Sequence, residues 1–231
     1  VRVAKVPSTP ADQAEGILAG MAELGVGPDA LARFAHGTTV ATNTVLERDG
    51  ADVLLVTTAG FADLLVIGRQ HRPALYDLTV TRPDPVVPRG RVVEVTERLD
   101  HDGAVVTPLT DAEVDRVVAA VRDAAPEAVA ICLLHAFRDP THEERLEAAL
   151  AGLHLPVSRA TALLPTFREV ERASTTALNA YVAPRMDRYL GSLERRLDEA
   201  AGTAGAPRVE VMRSGGGTFA ASVAAREPVH T

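Results

Sequence analysis

Several short stretches of this 231-residue sequence gather side chains able to do chemistry. In His36-Gly37-Thr38-Thr39-Val40-Ala41-Thr42-Asn43, a glycine precedes hydroxyl residues where a strand gives way to a helix, so backbone N–H groups and hydroxyls can meet an anion or a polarised carbonyl. On a helix Thr39, Thr42 and Asn43 share one face at i, i+3 and i+4. Such β-branched and amide residues are weak helix formers, so propensity is not what favours a helix there. A capped helix with ordinary polar exposure fits the spacing equally well. Gly68-Arg69-Gln70-His71-Arg72 crowds two guanidinium groups, an amide and an imidazole into one short run. Arginine forks suit carboxylates or phosphates, and glutamine can serve both sides of an amide or ureide edge. A solvated charged loop is the plainer account of that run, while the prolines that follow favour a binding loop.

Two further runs are more ambiguous. Arg168-Glu169-Val170-Glu171-Arg172-Ala173-Ser174-Thr175-Thr176 sets Arg168 with Arg172, and Glu171 with Thr175, at i+4. That helix start offers a carboxylate for acid–base work or indirect metal contact, or simply surface ion pairs. His135, Asp139, His142 and Glu143 include every ligand type a metal needs, yet no HxH or HxxxH pair, and they flank an Asp139-Pro140 turn. A structural role is the expectation for them, and no metal is assigned. Ser214-Gly215-Gly216-Gly217 forms a strand-end glycine turn that can approach phosphate without matching a P-loop. The seven histidines and several serines combine too freely to define a Ser-His-Asp triad.

The elements that must position these groups follow from periodicity. Val1 to Val6 reads as a strand, followed by a helix with Thr9 as N-cap, Pro10 at its first position and Ala14, Ile17, Leu18, Met21 and Leu24 inward. A turn of helix over Pro28 to Arg33, a helical segment from Val40 to Glu47 and a buried strand at Val53 to Val56 come next. Gly60 to Ile67 predicts a short helix, and Gly68 to Pro88 an irregular excursion rich in proline. Val92 to Leu99 predicts a strand, turned by Asp100-His101-Asp102-Gly103 into Ala104-Val105-Val106 as a hairpin. From Thr110 the pattern alternates: a helix with Val114, Val117, Val118 and Val121 inward, a strand at Ala128 to Leu134, a helix from Thr141 to Leu153, and a strand near Val157. That series implies a parallel α/β sheet. A long helix from Phe167 to about Ala201 must be kinked or divided at Pro184, and Val209 to Met212 forms the last strand.

Composition narrows the function classes. A net charge of -7, with basic stretches broken by proline and lacking aromatic platforms, excludes nucleic acid as the expected partner. No apolar run approaches the length of a membrane span, and the first residues lack the order of a signal peptide. The single cysteine, Cys132, lies in an apolar run and reads as a small buried hydrophobe, in keeping with a reducing cytoplasm.

Taken in order, Lys5-Val6-Pro7-Ser8-Thr9-Pro10, the His36 to Asn43 block, Gly68-Arg69-Gln70, Leu133-Leu134-His135, Glu171 to Thr176 with Asn179-Ala180-Tyr181, and Met212 to Gly217 resemble the N-terminal region of the hydantoinase/oxoprolinase large subunits. The resemblance covers essentially the whole chain. It implies an α/β fold, an incomplete actin-like or sugar-kinase-like ATPase lobe with a mixed sheet flanked by helices, residues 1–206 forming a partial N-terminal domain and 207–231 opening the next. It implies ATP-dependent cleavage of cyclic amides such as hydantoins or 5-oxoproline, through phosphorylation of the amide oxygen so that water attacks the activated carbon. The substrate pocket it implies draws on His36, Gly37, Thr38, Thr39, Thr42, Asn43, Gly68, Arg69, Gln70, Glu171 and Arg172, with phosphate-side contacts from Ser214, Gly215 and Gly216; catalytic residues stay unassigned. ATP and Mg are the implied cofactors of the complete enzyme. A second hydantoinase subunit or domain and self-association are its implied partners.

The family's Gly-Gly-Thr-Phe-Thr-Asp-like phosphate hairpin, expected before Val1, and an acidic glycine-rich motif, expected after Thr231, are not in the sequence. Gly216-Gly217-Thr218-Phe219 is similar to the first but runs on into Ala220-Ala221 without an acid. The expectation is therefore a cytoplasmic fragment that binds no nucleotide by itself. A ketone-carboxylase subunit and a non-catalytic anion-binding or regulatory module are the alternatives.

Overall fold

The computed structural model describes residues 1–9, 12–71, 74, 76, 77, 79–81 and 83–231. The expectations placed on Pro10, Arg72, Pro73 and Arg82 lie outside the described residues. In chain order the elements are α1 (Gln13–Glu23), β1 (Arg33–His36), α2 (Val40–Leu46), β2 (Val53–Thr58) and α3 (Leu64–Ile67). There follow β3 (Val92–Val95), β4 (Arg98–Leu99), β5 (Val105–Thr107), α4 (Asp111–Ala124), β6 (Ala128–Cys132), α5 (Thr141–Leu150) and β7 (Val157–Arg159). The series ends with α6 (Ala160–Leu163), α7 (Glu169–Ala201), β8 (Arg208–Met212), β9 (Thr218–Ala220) and α8 (Ala221–Arg226). These divide into two compact units, one of Val1–Glu47 with Arg185–Thr231, the other of Arg48–Pro184.

The Arg48–Pro184 unit is built on a parallel sheet of order β3-β2-β6-β7. Strands β2 and β6 are buried along their whole length, which is why neither sequence alternates polar with apolar. Val114, Val117 and Val121 of α4 and Leu146 and Leu150 of α5 join Leu54, Val56, Val129 and Ile131 in one apolar cluster. Each such side chain contributes roughly 1.5–3 kcal/mol by leaving water. Helix α4 starts as its sequence predicts, with the Thr110 hydroxyl accepting from the Glu113 N–H at 3.2 Å.

The strand expected over Val92 to Leu99 is two. β3 stops at Val95 because the Thr96 N–H donates to the Glu113 carboxylate at 2.6 Å, and the Glu97 side chain turns inward to Thr58 and His142. β4 then pairs with β5 alone, in the hairpin expected at Asp100, whose carboxylate accepts from the N–H groups of Asp102 and Ala104. The helix expected over Gly60 to Ile67 shrinks to α3, and that over Thr141 to Leu153 ends at Leu150 with a 3-10 turn beyond it. The two ends of this unit meet: the Ala51 N–H donates to the Tyr181 carbonyl at 2.9 Å. At Gly50 a Cβ would lie 2.1 Å from the Tyr181 ring, so only glycine fits.

Helix α7 runs unbroken through Pro184, so the proline does not divide it; the missing N–H costs the helix its bond to the Ala180 carbonyl. The boundary between the two units falls directly after that proline.

The other unit carries a mixed sheet, β1 parallel to β8 and β8 antiparallel to β9. The glycine turn expected after Met212 is the connection of this β8–β9 pair, with Gly216 and Gly217 at φ 93° and 79°, and the sequence reading did not anticipate β9. Met186, Leu190, Leu193 and Leu197 of α7 are fully buried there. The strand expected over Val1 to Val6 does not form: no strand among the described residues pairs with it, and Val1 and Val3 are exposed. The N-cap of α1 is Asp12 rather than Thr9. Its carboxylate accepts from the Ala14 N–H at 3.0 Å and also pairs with Arg196. The helical turn expected over Pro28 to Arg33 covers only Pro28–Ala30, since Arg33 opens β1. No helix of the described residues is long and apolar enough to cross a membrane.

Candidate functional site

From β2 the chain moves outward to β3, whereas β6, on the opposite side of β2, leads outward to β7. Connections that diverge from two neighbouring parallel strands leave a crevice at their C-terminal ends, the usual ligand position in such sheets. A cavity of about 650 Å³ in this unit is lined by Leu134, His135 and Phe137 after β6, by Arg69 and His71, and by Phe167 to Glu169, Glu171 and Arg172 at the start of α7. On its wall Arg69 grips Glu171 with both prongs, Nε to Oε1 at 2.9 Å and Nη2 to Oε2 at 2.5 Å. This fork holds the Glu171 carboxyl below its usual range, so it stays ionised.

Beneath the cavity lies a buried polar layer. Arg172 Nη2 donates to the Leu133 carbonyl at 3.1 Å and to Glu143 at 3.3 Å, with Arg172 and Glu143 1 % and 0 % exposed. Glu143 also accepts from the Leu133 N–H and from both the N–H and hydroxyl of Thr161. Burial pushes its carboxyl up, against the pull of those donors. Beside it, the Leu134 N–H donates to Thr58, the Thr58 hydroxyl to Glu97, and His142 Nδ1 meets the other Glu97 oxygen at 2.7 Å. These contacts fix the backbone of Leu133 and Leu134 at the end of β6. Cys132 is buried there, its thiol pushed up to about 12 by desolvation, and is chemically inert.

Six non-glycine residues among those described have positive φ, and three adjoin this cavity: Gln70 at 57°, His135 at 58° and Arg168 at 78°. Backbone held in such sparsely populated regions tends to concentrate at functional sites.

The hydroxyl-rich block lies in the other unit. His36 Nε2 is 2.5 Å from the Tyr189 hydroxyl, which also bonds the Thr38 side chain. Burial lowers the His36 pKa and raises that of Tyr189, so both are neutral near pH 7. The Thr38 hydroxyl accepts from the Val40 N–H at 3.2 Å. Thr39, Thr42 and Asn43 are exposed, and the Asn43 amide reaches the Thr39 hydroxyl at 3.5 Å. Gly37 lies near Met212, the Sδ being 3.4 Å from where a Cβ would stand. In the glycine turn, the Ser214 N–H donates to the His230 carbonyl and the Gly216 N–H to that of Arg213, so these two amides are engaged within the chain; Gly215 lies between them.

Of the expected site residues, the structure brings Arg69, Glu171 and Arg172 to one cavity, with Gly68 and Gln70 flanking Arg69; His36 to Asn43 and Ser214 to Gly216 belong to the other unit. The ion pairs at the start of α7 do not join residues a turn apart: one is exposed, as expected, and the other is buried. Glu171 pairs with Arg69 and Arg172 with Glu143, each distant in sequence. His71 lies in the run read as a possible binding loop, whereas sequence reasoning missed His135, Phe137, Phe167 and Arg168 as lining residues. The available signal was position, since His135 and Phe137 lie in the turn just after a buried parallel strand. Among the described residues no group of three or more His, Cys, Asp or Glu is placed to hold a metal ion.

Comparison with known proteins places these features. Residues 1–152 match the hydantoinase/oxoprolinase N-terminal region and residues 172–231 match hydantoinase/oxoprolinase. The caprolactamase subunit alpha of Pseudomonas jessenii is 33% identical over 215 residues, covering 86% of this chain and 30% of that protein. The 5-oxoprolinase 1 of Arabidopsis thaliana is 34% identical over 203 residues, covering 78% and 16%. A nucleotide-free structure of acetone carboxylase superposes with a TM-score of 0.80 at 28% identity, covering 97% of this chain and 35% of that one. The chain thus spans about a third or less of each relative's own length. Its fold is the α/β lobe shared with these actin-like ATP-dependent enzymes, and the chain belongs to the hydantoinase/oxoprolinase family.

Proposed function

We propose that this chain supplies the substrate-side part of an ATP-dependent cyclic-amide hydrolase of the hydantoinase or 5-oxoprolinase type. The observation that carries this reading is the cavity at the end of β6, where the Arg69–Glu171 fork stands over a buried Arg172–Glu143 pair. Arginine N–H groups and carboxylates on one wall offer donors and acceptors to an amide edge, and Phe137 and Phe167 offer apolar faces to a ring. Gln70 lies between two lining residues, Arg69 and His71, and its side chain can both donate and accept.

An amide carbonyl is a poor electrophile. ATP, when bound with Mg, would supply a phosphoryl group to the amide oxygen and so a leaving group. This chain's residues would hold the ring, orient its carbonyl and leave room for one water. Thr38, Thr39, Thr42, Asn43 and the His36–Tyr189 pair form a second set of donors, proposed for the same substrate class. Ser214, Gly215 and Gly216 remain proposed phosphate-side contacts. The Ser214 and Gly216 amides are engaged by carbonyls within the chain.

The proposal extends to a cytoplasmic protein acting with a second subunit, since one relative is named as subunit alpha of caprolactamase. A second reading, an ATP-dependent ketone-carboxylase subunit, rests on the likeness to acetone carboxylase over 97% of this chain. Phosphate release from ATP by the full-length protein, measured with hydantoin, 5-oxoproline, caprolactam and acetone plus bicarbonate, separates the two. Turnover only with the ketone would sink the first.

A further inference from the structure

Most polar side chains that line the cavity at the end of β6 are committed within the chain. Arg69 and Glu171 hold each other, Arg172 is held by Glu143, and Arg168 lies over the Phe167 ring at 5.3 Å. His135 differs from them. Half-buried, it lines the cavity with its ring 6.3 Å from that of Phe137 between centroids, and neither ring nitrogen has a hydrogen-bond or ion-pair partner among the described residues. Its backbone stands at φ 58°, in the left-handed region where a Cβ is crowded and glycine is at ease. Ala125 and His154 share that region as caps that end helical turns, an ordinary use of it. His135 instead follows strand β6. The chain around it is pinned: the Leu133 N–H donates to Glu143 and the Leu134 N–H to Thr58, both at 2.9 Å, Ala136 is buried, and the His135 carbonyl accepts from the Arg138 N–H at 2.8 Å. A strained backbone, locked from below and carrying a side chain with no internal partner, points to use of that side chain in the cavity.

We propose that His135 is the general base of the reaction in this cavity: its imidazole takes a proton from the attacking water as the water oxygen bonds to the ring carbonyl carbon, and returns a proton to the ring nitrogen as the C–N bond breaks. This deepens the cyclic-amide reading and rests on it. The buried layer of Glu143, Thr58, Glu97 and His142 then acts through His135, by holding the turn that aims it. The other proton acceptors that line the cavity are placed less well. Glu171 is tied into the Arg69 fork, which holds its carboxyl below the usual range and makes it a weak base, and His71 is exposed. Glu169 is the remaining carboxylate of the lining and is the competitor that the test must separate.

Ring opening of cyclic amides by the full-length protein, with Tm measured alongside, tests this in His135→Gly, His135→Asn and Glu169→Gln. Glycine suits the left-handed backbone and leaves a space the size of an imidazole. His135→Gly is expected to keep or raise Tm, to leave KM within about three-fold, to lower kcat by at least about 100-fold, and to regain about ten-fold or more when free imidazole is added. His135→Asn, which tolerates the same φ but takes no proton, should show the same loss without rescue, and Glu169→Gln a smaller one. Either His135 variant retaining kcat within about three-fold of the parent overturns the assignment and leaves the cyclic-amide reading standing. A loss in His135→Gly that imidazole does not restore also overturns it, and so does a larger loss in Glu169→Gln than in His135→Gly, which moves the base to Glu169. Absence of ring opening by the parent protein on any cyclic amide overturns both.

Discussion

Arg172 of α7 and Glu143 of α5, 29 residues apart in the chain, meet at 3.3 Å with both side chains withdrawn from solvent. Glu143 carries four donors, from Leu133, Thr161 twice and Arg172, so its removal leaves a buried cation and several orphaned N–H groups. Glu143→Ala is expected to cost about 3–5 kcal/mol, read as a lower urea midpoint. Loss of less than about 1 kcal/mol, within the range of ordinary surface pairs, would show that the layer is not load-carrying.

Arg69, by contrast, is exposed and touches no core. Arg69→Ala in the full-length enzyme should lower cyclic-amide turnover by about 10- to 100-fold while Tm changes little. A large drop in Tm with unchanged kinetics would return Arg69 to a structural role. Glu171→Gln, which keeps the shape but removes the charge that fixes the fork, should follow Arg69→Ala in kcat/KM.

Much of the scaffold under these residues was legible beforehand. The apolar runs of β2 and β6 and the valine stripe of α4 announced a parallel sheet through periodicity alone. The break between β3 and β4 was not legible, because it depends on Glu113 and Thr58 capturing Thr96 and Glu97 from elsewhere in the chain. Arg69, Glu171 and Arg172 were identifiable by residue type, but their partners were not. Glu171 lies four residues from Thr175 in sequence and is bonded to a residue 102 away. Arg168 and His135 were read as a helix-start charge and a structural histidine rather than as cavity lining, since a positive φ leaves no mark on composition.

Acid should weaken the Arg48–Pro184 unit through Glu113. Its carboxyl, largely held by Arg116 and by the Thr96 N–H, is lowered from 4.5 to about 2. A depressed carboxylate contributes stability that is present above about pH 4.5 and is lost as pH falls toward 2. With Arg116 half exposed, solvent reduces the contribution to about 1–2 kcal/mol. Glu113→Gln should flatten the urea midpoint between pH 5 and pH 2 relative to the parent, to about the same stability at the acid end. Parallel curves for the two proteins would refute the assignment.

His36 provides a second pH handle, of the opposite chemical type. Burial lowers its pKa from 6.5, so the unfolded chain takes up the proton first, and the fold loses stability as pH drops below 6.5 toward the depressed value. The Tyr189 ring lies 5.7 Å from the His36 ring between centroids and helps to cover it. Tyr189→Ala, which uncovers the imidazole, should therefore move the His36 titration upward in NMR spectra, toward the ordinary value. A titration curve indistinguishable from the parent's would mean that Tyr189 does not shield the ring.

The bond from Ala51 to the Tyr181 carbonyl, with Gly50 pressed on the Tyr181 ring, brings the entrance and exit of the Arg48–Pro184 unit together. A segment whose two ends already touch behaves as an insertion whose interior can vary without stretching the chain that carries it, so long as α7, which runs on past Pro184, keeps its register.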